Sequence, residues 1–252
     1  MISFNGKNIL VVGASSGIGE ETARVLADNG ANVVLIARRE DKLKEVCNSI
    51  PSRKKSYYIG DVTEFEKTEG LIEQIVSEQG KIDGMAYVAG VSDGDVPIKY
   101  LTYERQIKVF QVNYFGFVEY VRQVTKRGMY NAGMRIAAVS SVASLRGEKA
   151  HVPYSASKSA MDSAIRCMAK ELGGKGICIN SVAPSMVNTE MYQHFLEIHG
   201  EKSNTNRVAM NRQYLGLAET KDVACALAFL LSEDARFITG ITMPVDGGYT
   251  TT

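Results

Sequence analysis

Cysteine is scarce in this 252-residue chain, and the four present, Cys47, Cys167, Cys178 and Cys225, include no Cys-x-x-Cys pair. That pattern argues against a disulfide framework and favours reduced thiols. Histidine is scarcer still. His151, His194 and His199 fall in no partnered ligand motif, so no metal site is expected, and the last two read as solvated loop residues. Neither sign of charge dominates, with 29 Lys plus Arg against 28 Asp plus Glu. No global field therefore recruits nucleic acid or a membrane surface. Apolar runs stay well short of the roughly 18 residues a membrane span needs. The opening Met1 to Gly6 has no basic segment followed by an apolar one, so a soluble, cytoplasmic protein is expected. Ser141 lies in no Gly-x-Ser-x-Gly elbow, which removes the serine-hydrolase reading that the nearby His151 would invite, although His151 could line a pocket.

What is present is apolar material, 45% of the chain, spread without a linker-like change in composition. Such a length and content fit one large α/β domain over 1–252. Short apolar runs at 8–13, 31–37, 56–60, 83–89, 135–140, 177–182 and 241–244 read as strands. Between them lie amphipathic patterns, such as Ile18, Ala23, Leu26 and Ala27, stopped by Asn29-Gly30, and long helices over about 99–127 and 153–172. Repeated βα alternation predicts a Rossmann-like, doubly wound parallel sheet of about seven strands covered on both faces, with ligands at the strands' carboxyl ends. The polar stretch at about 186–215 has weak periodicity and reads as a lid or substrate loop.

The first strand runs into Gly13-Ala14-Ser15-Ser16-Gly17-Ile18-Gly19 and then a helix. Glycines there let the backbone turn tightly and approach a pyrophosphate, while the helix start offers free N–H groups. No Gly-Lys-Ser/Thr follows, so this is not the phosphate loop of nucleotide hydrolases. At the end of the second strand, where an acid would grip an adenosine ribose, stands Ala37, followed by Arg38 and Arg39. Guanidinium groups suit a 2′-phosphate, so NADP(H) is expected over NAD(H), with Arg38 the favoured contact and Arg39 its companion.

Tyr154 and Lys158 stand four residues apart, thirteen residues after Ser141. On a helix that step puts both side chains on one face. Bringing a phenol pKa from about 10 to about 7 needs roughly 4 kcal/mol. One cation a few Å away, at an effective dielectric near 20, supplies about that much.

Taken together, these residues resemble the short-chain dehydrogenase/reductase family in its single-domain form. Matching segments are Gly13 to Gly19, Asp61-Val62-Thr63, Ala89-Gly90, Val112-Asn113, Ser140-Ser141, Tyr154 to Lys158 and Asn180 to Pro184. The resemblance spans nearly the whole chain. It implies hydride transfer between a nicotinamide cofactor and a carbonyl or alcohol. Tyr154 would be the proton donor, Lys158 would lower its pKa and hold the nicotinamide ribose, and Ser141 rather than Ser140 would hydrogen-bond the substrate oxygen. Asn113 would support a water chain from Lys158. Asp61 and Val62 would meet the adenine, Ala89 and Gly90 would flank the cofactor, and Pro184, Val187 and Thr189 would meet its nicotinamide half.

Three positions depart from the family's pattern. Val12 stands for Thr, Val88 for Asn, and Ser185 for Gly after Pro184. The paired valines suggest a compensating apolar contact between the first and fourth strands, since a lone buried polar partner would cost about 1–3 kcal/mol. Aromatic residues from Tyr100 to Tyr120 suggest core packing, or, by the family's habit, a homodimer or homotetramer. The expected reaction is reduction of a small ketone or aldehyde by NADPH. Its pocket would lie among 92–98, 145–152 and 186–214. A 3-oxoacyl thioester, which a carrier protein would hold, is the favoured substrate, with sugars, polyols, steroids and other small ketones open. A non-catalytic NADP(H)-binding protein is the rival class.

Overall fold

A computed structural model of the chain describes residues 2–51, 54–200 and 210–251. Seven strands, β1 (Asn8–Val12), β2 (Asn32–Ala37), β3 (Lys55–Ile59), β4 (Ile82–Tyr87), β5 (Tyr130–Val139), β6 (Cys178–Pro184) and β7 (Thr242–Val245), form one sheet. Their order is β3-β2-β1-β4-β5-β6-β7, and every pairing is parallel. Parallel strands need covered faces, which explains continuous apolar runs such as Val33 to Ala37, buried at every position. One face carries α1 (Gly17–Asp28), α2 (Glu40–Ser49) and α9 (Thr220–Leu231), packed through Leu26, Leu43 and Leu227. The other carries α3 (Phe65–Gln79), α5 (Gly116–Val124) and α7 (Val152–Gly173), packed through Ile72, Phe117 and Ile165. Strand order reverses between β1 and β4, the switch point at whose carboxyl ends a parallel sheet of this kind opens a crevice. Among the described residues, no helix is long and apolar enough to cross a membrane.

Six of the predicted strands and the stop at Asn29-Gly30 match the structure, whereas the long helix, the fifth strand and the lid stretch differ from expectation. The helix expected over 99–127 is broken into a 3-10 turn (Ile98–Tyr100), α4 (Tyr103–Phe110), a π turn (Gln111–Phe115) and α5. The buried Tyr87 hydroxyl donates to the Val112 carbonyl at 2.7 Å, which satisfies a backbone acceptor within the irregular turn. Strand β5 begins at Tyr130, five residues before its expected start, because a register shift opposite Ile82 and Gly84 absorbs a bulge. Gly133 permits it with φ +78°. Inside the expected 186–215 loop stands α8 (Glu190–His199), begun by Thr189, whose hydroxyl accepts from the Tyr192 amide at 3.3 Å. His194 lies on this helix beside Glu197 rather than in a loop. Residues 201–209 of the stretch lie outside the described residues.

The paired-valine contact is corrected. Val12 belongs to the apolar layer under α3, α5 and α7, whereas Val88 packs against the opposite layer. Alternation along a strand separates them. The strands are tied here by backbone, since the Val12 carbonyl accepts from the Val88 and Ala89 amides at 2.8 and 2.9 Å. The aromatic residues divide too: Phe117 and Tyr120 pack edge-on against Tyr87 in the core, while Tyr100, Tyr103 and Phe115 are exposed.

Gly116 sits where α5 meets this core, and a methyl group there would come within 2.7 Å of the Tyr87 hydroxyl and 2.8 Å of the Val62 carbonyl. Gly116→Ala is expected to destabilise the fold by about 1–3 kcal/mol in denaturant titration. An unchanged midpoint would show that Tyr87 is free to move aside.

Candidate active site

The glycine turn closes the β1–α1 junction under tight limits. Gly13 has φ +94°, and a side chain there would reach within 2.6 Å of the Ala89 amide. At Gly19 an added methyl would overlap the Gly13 carbonyl oxygen. Ser16 stands at the helix N-cap in extended conformation, yet no side chain caps the α1 terminus. An uncapped start offers backbone donors and a partial positive charge to an anion. Thr189 packs its methyl over Gly17, 3.5 Å from where a side-chain carbon would stand. Ile18 is half-buried against the apolar layer, and Val187 is buried beside it, bridged to Ala218.

Arg38 and Arg39 part company. Arg39 donates to the Ser15 hydroxyl at 3.1 and 3.2 Å and to the Ser16 hydroxyl at 2.6 Å. Arg38 turns instead toward Asp61, with Nη1 3.9 Å from Oδ2. Sequence order favoured Arg38 for the phosphate; the geometry puts Arg39 at the turn. Burial pushes the Asp61 carboxyl up, but bonds from the Thr63 amide and hydroxyl, with the Arg38 charge, hold it below its ordinary value. Asp61 caps a turn at Thr63 rather than the helix, while Val62 is buried below.

At the ends of β4 to β6 the remaining residues meet. Asn113 is fully buried in the π turn, exchanging bonds with the Val91 backbone at 2.9 and 3.0 Å and donating to Ser157 Oγ at 3.0 Å. Its amide is thus committed to positioning the loop after Gly90 as much as to any water. Gly90 sits close against Lys158 and Asn113: a side-chain carbon there would lie 3.3 Å from the ammonium and 3.5 Å from the Asn113 oxygen, a tight contact. Ser140 is locked inward onto Asp162 at 2.9 Å, which leaves Ser141, accepting from the Ala143 amide at 3.1 Å, as the serine beside Tyr154. Sequence spacing had chosen the same one.

Lys158 is buried, donates to the Val139 carbonyl at 2.6 Å, and lies 5.9 Å from the Tyr154 ring centre. Burial lowers its pKa to about 8, and the Asp162 charge opposes that shift. Burial pushes the Tyr154 phenol up, with Ser141 pulling it back. The expected depression of the phenol by Lys158 therefore does not arise from these two side chains alone: both are stripped of water, and the ammonium is turned to the Val139 carbonyl. Burial favours the neutral form of each.

Two partners escaped the sequence reading. Asp162, four residues after Lys158 on the same helix face, is a buried carboxylate accepting from Ser140, Ser144 and Ser181 at 2.6–2.9 Å. The same four-residue step that paired Tyr154 with Lys158 could have found it. Gln213 is also buried, binding the Met186 backbone both ways, the Gly216 carbonyl and the Ser185 hydroxyl. It explains why Ser185 replaces the usual glycine: the hydroxyl helps fasten the two ends of the lid stretch just past Pro184. No local pattern marks such a long-range pair. His151 stands at the N-cap of α7 and meets Asp95 at 2.7 Å. A larger cavity of about 690 Å³ at the β3 edge shares no residue with this site.

The chain belongs to the short-chain dehydrogenase/reductase family, whose members move hydride between a nicotinamide cofactor and a CH–OH or C=O group. A family model described as Enoyl-(Acyl carrier protein) reductase matches residues 13–250. The chain is similar to an L-xylulose reductase of Caenorhabditis elegans, 34% identical over 98% of this chain and 96% of that one. It is also similar to a glucose 1-dehydrogenase of Gluconobacter oxydans, 32% identical over 98% and 93%. A short-chain dehydrogenase/reductase structure from Mycobacterium ulcerans superposes with TM-score 0.91 at 27% identity, covering 98% of this chain and 91% of that one.

The depressed Lys158 pKa has a measurable consequence. Between its folded value of about 8 and the ordinary 10.5, the unfolded chain holds more protons, so stability rises with pH. Wild type should gain roughly 2–3 kcal/mol on Lys158→Met between about pH 7 and pH 10. A pH-independent difference in denaturant titrations would show that the ammonium is solvated.

Proposed function

We propose that the protein uses NADPH to reduce the carbonyl of a small ketone or aldehyde to an alcohol. The carrying observation is the convergence of Ser141, Tyr154, Lys158 and Asn113 at the carboxyl ends of β4 and β5, beside a glycine turn that already holds Arg39. The uncapped α1 start, Ser15, Ser16 and Arg39 fit a phosphate-bearing dinucleotide. When bound, the cofactor would supply the hydride. Tyr154 gives its proton to the carbonyl oxygen, and the Ser141 hydroxyl steadies the charge developing there. Lys158 holds positive charge behind the phenol, so the proton leaving Tyr154 is offset locally. Asp162 keeps that charge on Lys158, and Asn113 fixes the loop that walls the site.

A small polyhydroxy ketone is the substrate class best supported, on two grounds: relatives named for xylulose and glucose, and the Asp95–His151 pair at the N-cap of α7. The 3-oxoacyl thioester keeps separate support from the exposed Ile98, Leu145, Val152, Met191 and Leu215, and from the name of the matching family model. Exposed Tyr100, Tyr103 and Phe115 are the surface assigned to a second copy in a homodimer or homotetramer.

NADPH oxidation followed by absorbance, with L-xylulose-like ketones and acetoacetyl thioesters side by side, separates the substrate classes. NADPH should bind at least about tenfold more tightly than NADH, roughly 1.4 kcal/mol. Arg39→Ala should narrow that gap more than Arg38→Ala. Tyr154→Phe should abolish turnover and keep NADPH binding. Equal cofactor affinities would overturn the NADPH assignment, and undiminished turnover in the Tyr154 variant would remove it from proton transfer.

A further inference from the structure

Glu190, in the first turn of α8, holds both cations that face the glycine turn from α2 and its start. Its Oε2 lies 3.3 Å from Arg39 Nη1 and its Oε1 lies 2.6 Å from Lys42 Nζ. The bond to Lys42 is the main cause that holds its carboxyl below the ordinary value; burial opposes it, and the bond to Arg39 adds to the lowering. Glu190 and Lys42 line a cavity of about 330 Å³ together with Ser15, Ser16, Glu20, Arg24 and Glu45, and Arg39 reaches it through its bonds to Ser15 and Ser16. An anion thus already spans Arg39 and Lys42, and it comes from the chain itself. Next to it, Thr189 packs on Gly17, so the same residue pair joins the lid helix to the phosphate-binding turn.

We propose that Glu190 is an intramolecular placeholder for the 2′-phosphate of NADPH, and that its displacement reports cofactor identity to the lid helix. The inference rests on the NADPH reading above. A phosphate monoester carries up to two negative charges and spans the same two cations with stronger charge-assisted bonds. Arg39 also holds Ser15 and Ser16, neutral hydroxyls that a phosphate tolerates. Glu190 carries like charge and is the partner that leaves. Its release detaches the start of α8 from α2. NADH, which lacks the phosphate, leaves the carboxylate in place. Glu190 is therefore a specificity-determining residue that weakens NADPH binding in exchange for coupling it to the lid.

The test compares NADPH, NADH and adenosine 2′,5′-bisphosphate on wild-type protein and on Glu190→Gln. The variant should bind NADPH and the bisphosphate about threefold to tenfold more tightly, with NADH affinity unchanged, as expected for two exposed ion pairs removed from competition. Amide exchange in 190–196 of wild type should speed up with NADPH or the bisphosphate and not with NADH. Weaker binding of both cofactors by the variant, with exchange slowed by both, would make Glu190 a strap over the cofactor and overturn the proposal. Unchanged NADPH affinity would overturn it as well. If wild type fails to prefer NADPH, the cofactor reading itself falls, a different outcome from loss of the Glu190 effect alone.

Discussion

Burial of one ammonium constrains the rest of this site. Lys158 lies within the sheet's carboxyl edge with its Nζ on the Val139 carbonyl, and an unpaired charge there would be costly. Asp162 answers it one turn along the same helix, and three serines answer Asp162. Ser140 is one of them, so the neighbouring Ser141 turns toward Tyr154. The arrangement of the catalytic face thus follows from neutralising a buried charge inside a parallel sheet. Backbone irregularity serves the same end: the π turn places Asn113 where it can hold the Val91 backbone and Ser157.

Much of this was legible in the residues. Seven apolar runs located all seven strands because parallel strands are buried on both faces. The glycine turn and the Tyr154 to Lys158 step were readable because each depends on local spacing. What escaped depends on distant partners. The bulge that lengthens β5 looks like a turn in sequence because of Asn131 and Gly133. Gln213 joins Ser185 across 28 residues. Arg38 precedes Arg39 in sequence order, yet only tertiary placement decides which guanidinium reaches Ser15 and Ser16. The proton-transfer chemistry was read from two side chains, whereas burial pushes the phenol up and Ser141 pulls it back.

Two ends of one crevice are thereby linked. On the proposed reading, Arg39, Lys42 and Glu190 set the cofactor side, and Ser141 and Tyr154 set the carbonyl side. The stretch containing α8 touches both: Thr189 lies on Gly17, and Ser185 and Gln213 fasten its base beside Pro184. On the proposed reading, a substrate pocket bounded by this stretch would respond to which cofactor is bound without any change in the sheet.

The most direct measurement is a crystal structure with NADP⁺ and an unreactive ketone or amide analogue. The account predicts the analogue's oxygen within hydrogen-bond distance of both Tyr154 Oη and Ser141 Oγ, with the lysine ammonium behind the phenol. An analogue bound in the crevice with its oxygen away from Tyr154 would contradict the central claim that this buried tyrosine delivers the proton.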